Sequence, residues 1–155
     1  MKKIVALFFI SLSFLLSFRQ IGVEEKMFPE LTGTTLDEKP VTIPKDCAGK
    51  FTLIGLAYSS KAEDDLHTWV NPVYDKFISK TGLIDYDVNM YFIPMFTGAN
   101  QITEANAKKK MKENTAKEFY PFIVCYRGEF KKYKEALELK EKDKPYFFIL
   151  DEKGK

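Results

Sequence analysis

The chain has 155 residues, enough for one domain, with 14 Phe and 8 Tyr to help fill a core. A formal net charge of +2 is too small to argue for nucleic acid as a partner. Two cysteines and one histidine leave little for a metal site. There is no phosphate loop, nucleophile–base pair or cofactor fingerprint, so neither a cofactor nor a metal is expected.

Residues 1–20 stand apart from the rest. Lys2 and Lys3 precede an apolar run from Ile4 to Leu16, about 13 residues, the length of a secretory signal and short for a spanning helix. Ser17-Phe18-Arg19-Gln20 is a weak cleavage site. A cleaved signal peptide and an uncleaved N-terminal membrane anchor therefore both stand, with a buried first helix as the structural alternative. No cysteine follows the run, which argues against a lipoprotein anchor. By either export reading the domain, residues 27–155, is expected outside the cytoplasm, in a periplasm or another extracytoplasmic space.

Ile21 to Lys26 is a short polar leader. Phe28 to Pro44 reads as an N-terminal β-hairpin, with Asp37-Glu38-Lys39 as its turn between segments rich in Thr, Val and Ile. Thr52 to Tyr58 is short, apolar and uncharged, as expected of a strand covered on both faces. A polar turn, Ser59 to Asp64, follows. Then Leu66, Trp69, Val70, Val73, Tyr74 and Phe77 fall at helical spacing on one stripe. Ser60 is the expected N-cap, with Glu63 three residues on, and Glu63, Asp64 and Asp65 suit the positive end of the helix dipole. Gly82 marks the expected helix end.

Tyr86 to Phe96 reads as the second core strand, with Pro94 near its end. Thr97 to Asn100 is a turn. Ile102 to Phe119 reads as a helix with Ile102, Ala105, Met111, Thr115 and Phe119 on its more apolar side. Its run Lys108, Lys109, Lys110 and Lys112 is a solvated face or an anionic-membrane contact. Pro121 to Gly128 is a strand and Glu129 to Leu139 a short helix. Lys140 to Lys144 is a charged loop, and Pro145 begins an apolar strand that ends in Asp151-Glu152-Lys153-Gly154.

This order resembles the thioredoxin-like superfamily, in particular exported redoxin and thiol-disulfide oxidoreductase domains. The likeness rests on Gly49-Lys50, the apolar strand, the turn, the helix containing Pro72, and Pro145 before a strand with Asp and Gly after it. It implies an α/β fold, a thioredoxin-like central sheet flanked by helices, with an N-terminal hairpin. It also implies that Pro145 is a cis-proline facing the turn, with Lys144 before it in the peptide-binding backbone. The family continues with a further strand and a closing helix that the expected fold lacks: either the sequence is a truncated piece of a longer protein, or something else covers that edge. Phe147 and Ile149 are therefore expected to be poorly covered. A weaker resemblance is to the mitochondrial ATP-synthase assembly factors, which look like degenerate redoxins.

The family carries Cys-x-x-Cys, or at least one Cys, in the turn. This chain has Ser59-Ser60-Lys61-Ala62-Glu63-Asp64 there and no cysteine. Cys47 and Cys125 are expected at opposite ends of parallel strands, separated by about five residues at ~3.3 Å each, so the favoured reading is two reduced thiols rather than a bridge. His67 and the acidic cluster read as structural and capping residues, a metal ligand set being the alternative.

Two function classes follow. The first is an exported, non-catalytic thioredoxin-like domain with a degenerate active site. It would bind a protein or peptide in a cleft formed by Ser59, Ser60, Lys61, Glu63, Asp64, His67, Lys144 and Pro145. The alternative is a thiol-disulfide oxidoreductase or redoxin acting through Cys125, with Arg127 on the same side of its strand.

Overall fold

A computed structural model describes residues 22–79 and 86–155. The N-terminal segment read as a signal or anchor, and the helix end expected at Gly82, lie outside the described residues. Among the described residues no helix is long and apolar enough to cross a membrane.

The strands β1 (Leu31–Thr35) and β2 (Pro40–Ile43) form the expected antiparallel hairpin, with Leu31 opposite Ile43. Its turn is held by Thr35, whose Oγ1 donates to Asp37 Oδ1 and accepts from the Lys39 amide. The core strands β3 (Phe51–Ala57), β4 (Val88–Thr97) and β5 (Val124–Gly128) run parallel. The last strand, β6 (Tyr146–Leu150), lies antiparallel to β3. The sheet order is β2-β1-β5-β4-β3-β6.

Strand alternation splits the core in two. Ile54, Leu56, Ile93, Met95, Val124 and Tyr126 face one way, against Phe28, Leu31 and Tyr133. Tyr133 belongs to the short helix α4 (Lys131–Ala136), which covers this face. Ala57, Phe92, Phe96, Ile123 and Cys125 face the other way, against Ala62, Leu66, Val70 and Val73. On that second side the helices approach closely at Gly55. A Cβ there would stand 2.6 Å from Leu66 Cδ1 and 3.1 Å from Phe147 Cε1.

The single helix expected through Phe77 is two: α1 (Ser60–His67) and α2 (Val70–Phe77). Pro72 is the cause. It has no amide hydrogen for the Thr68 carbonyl, and its ring crowds that carbonyl. The Thr68 and Trp69 amides instead close back on Asp65 and Leu66. Leu66, Val70 and Val73 keep the buried stripe, but Trp69 leaves it. Trp69 is 51% exposed and lies against Phe147, ring centroids 5.3 Å apart.

The helix expected over Ile102 to Phe119 is shorter, α3 (Glu104–Asn114), preceded by a 3-10 turn, Gly98–Thr103. Thr115 is extended and ends it. A second 3-10 turn, Lys117–Phe122, contains Pro121, so β5 starts at Val124 rather than at Pro121. No residue of α3 is fully buried. Part of its lysine run is ion-paired, Lys108 with Glu104 and Lys112 with Glu38.

The outer edge of β6 has no strand partner among the described residues. Phe147 is 39% exposed and Ile149 74%, as the sequence led one to expect. The expectation of a cis bond at Pro145 is corrected. The cis peptide bond among the described residues is Ile43–Pro44, and Lys144–Pro145 is trans. Pro145 sits just before the β3–β6 ladder begins at Tyr146, where no backbone donor is required.

Candidate functional site

The site is built by the junction of β3 and α1. After Ala57 the chain stays extended, and Tyr58 packs its ring on Phe130 at 4.3 Å and on Tyr146 at 6.4 Å. Burial, then the neighbouring Tyr146, pushes the Tyr58 hydroxyl up to about 12. The N-cap is Ser59 rather than Ser60. Ser59 Oγ accepts from the Ala62 amide at 3.2 Å. The same hydroxyl reaches the Lys142 carbonyl and Asp143 Oδ1, both at 3.0 Å.

That one-residue shift has a chemical result. With Ser59 as the cap, the position that completes a capping box is Ala62, which is buried. Glu63 falls one residue further on. Its carboxyl has no hydrogen-bond or ion-pair partner among the described residues. Burial raises its pKa above the ordinary carboxylate range, and the Asp64 charge adds to the rise.

The residues expected to form one cleft are divided by the structure. Ser60, Glu63, Asp64 and His67 open onto a groove of about 660 Å³ between α1 and α3. Its floor is Phe92, Pro94 and Ile123, and Leu66 and Val70 stand on the α1–α2 side. Lys144 and Pro145 are not part of it. They lie beyond the Ser59 bridge to residues 142–143, where the turn and the loop are tied together instead of parted. Lys144 is occupied with Glu141 at 2.7 Å. Lys61 is exposed and outside the groove.

The far wall of the groove was missed from sequence: Thr103, Asn106, Ala107, Lys110, Met111 and Asn114 of α3 and its N-terminal turn. The signal was their spacing of three and four residues, in a helix otherwise too polar to suggest a face. Among the described residues no cluster of His, Cys, Asp and Glu could hold a metal.

Cys47 and Cys125 are free and buried. They belong to the two opposite halves of the core. Burial raises both thiols, Cys125 to about 12; Lys108 pulls Cys125 back, and Glu104, Glu63 and Glu38 push it further up. A thiol this deeply buried is poorly placed for the redox role considered for Cys125. Arg127 gives it no help, being exposed and directed at Glu104, 3.7 Å away.

No protein-family model matches the chain, and no curated protein matches it. Solved structures do. One is the pneumococcal exposed lipoprotein thioredoxin of Streptococcus pneumoniae, 19% identical, covering 82% of this chain and 84% of that one, with a TM-score of 0.53. Another is the thioredoxin domain of a thiol-disulfide oxidoreductase from Bacteroides vulgatus, 19% identical, covering 84% and 82%, also at 0.53. The chain has the thioredoxin-like fold. At these identities the likeness is one of fold, and activity has to be argued from the site. The resemblance to the mitochondrial ATP-synthase assembly factors gains no support. In this thioredoxin-like chain, the turn after the central strand carries hydroxyls, an amine and carboxyls where the resemblance implies thiols.

Proposed function

We propose that the chain is an exported, non-catalytic thioredoxin-like module that binds an extended protein or peptide segment. The observation that carries this reading is the turn itself. Ser59 to Asp64 holds no thiol, Ser59 is committed to capping and bridging, and both cysteines are buried on opposite faces of the sheet. What remains open to a partner is the groove beside Ser60, Glu63, Asp64 and His67. Its apolar floor with a polar rim has the composition, and its volume the size, of a ligand site. Export rests on the charged start and apolar run of residues 1–20, and extracytoplasmic thioredoxin-like neighbours are in keeping with it.

The test is a set of capped pentapeptides titrated into the isotopically labelled full chain, followed by backbone amide shifts. Binding is expected to move the amides of Ser60 to His67. Uniform silence across the set would overturn the reading, as would disulfide exchange by the chain with a dithiol substrate.

A further inference from the structure

Glu63 is a carboxylate that the fold holds at a cost. It is half-buried on the groove wall, its neighbour Asp64 has the same charge, and no described residue pairs with it. An ionised group in such a place lowers stability unless something satisfies it. The same groove holds a buried polar atom with no hydrogen-bond partner, Thr115 Oγ1 at the end of α3. Around these two lie Leu66, Phe92, Met111 and Ile123, which give the groove an apolar interior. Lys110 is the cation on the rim, set against the two carboxylates of Glu63 and Asp64.

The geometry points to a specific occupant: we infer that the groove takes a lysine side chain flanked by apolar residues, its ammonium on Glu63 and its neighbours on the Phe92–Met111 floor. The inference rests on the reading of the chain as a peptide-binding module. The ammonium supplies a counter-charge at a partly shielded position, where a charge-assisted hydrogen bond is stronger than at the open surface. The apolar flanks bury area against the floor and sides.

The experiment compares two capped peptides, acetyl-Ala-Leu-Lys-Leu-Ala-amide and the same peptide with norleucine in place of lysine, titrated into the full chain. Changing the ligand keeps the test independent of how any variant folds. The lysine peptide is expected to bind about tenfold more tightly, the scale of one hydrogen bond to a charged group. It should shift the amides of Ser60–His67 and Asn106–Thr115. Glu63→Gln should remove the preference for lysine over norleucine. Equal binding of both peptides in the groove would overturn the lysine inference and leave the peptide-module reading standing. Shifts confined to other surfaces would also overturn it. No binding by either peptide, or by any of the wider set, would overturn both.

Discussion

Glu63 and Gly154 show how single positions carry opposite kinds of constraint. Gly154 has φ +84°, and a Cβ there would meet Pro44 Cβ at 2.5 Å. Its carbonyl also accepts the Phe28 amide, tying the start of the domain to its last turn. Gly154→Ala is expected to lower stability by about 2 kcal/mol, from strained backbone and lost space together, as read by denaturant unfolding. Glu63 works the other way. Because its folded pKa lies above the unfolded one, the folded chain binds more protons between the two values. Stability therefore falls as pH rises through that window, and the penalty is complete above the folded pKa. Glu63→Gln should raise the melting temperature at neutral pH and flatten its decline between acid and neutral. A variant less stable than the parent at neutral pH would contradict the assignment.

At the scale of elements, the β3–α1 junction is held by one hydroxyl. Ser59 caps α1 and ties the turn to residues 142–143. Ser59→Ala should cost about 1 kcal/mol for the cap. It should also speed amide exchange at Ala62 and in the 140–145 loop, while Ser60→Ala leaves both unchanged. Sequence showed the strand, the polar turn and the helix here. It pointed to the wrong one of two adjacent serines, because Ser60 has Glu63 three positions on whereas Ser59 has Ala62. Position depends on Tyr58, whose packing on Phe130 and Tyr146 fixes where the strand ends. The split between α1 and α2 was written in Pro72. The apolar stripe hid it, since Leu66, Val70 and Val73 remain on one face across the break and only Trp69 departs. The α3 wall of the groove was harder still to read. A helix with no fully buried residue has little apolar pattern to find.

At the scale of the whole molecule, the parallel β3, β4 and β5, the antiparallel β6 and the entry hairpin follow from apolar runs and turn residues in the sequence. The candidate groove did not follow in the same way. Burial sorts the sheet into two faces, and the open groove lies on the face of α1, α2 and α3. The other side of the turn, toward Lys144 and Pro145, is closed by the Ser59 bridge and the Tyr58–Tyr146 pair. A cleft drawn from chain order alone joins residues that the sheet separates. The same two-faced core keeps the thiols apart, with Cys47 among Leu31, Ile54 and Leu150 and Cys125 among Ala57, Phe92 and Ile123.

The central claim is that this thioredoxin-like fold works without thiol chemistry. Its most direct test is thiol labelling of the native and the unfolded chain across pH, with Cys47→Ala to isolate Cys125. The account predicts that Cys125 reacts only when the chain unfolds, at a rate set by unfolding rather than by pH near neutrality. Rapid labelling of native Cys125, with an apparent pKa below the ordinary ~8.5, would contradict it and return the oxidoreductase reading to first place.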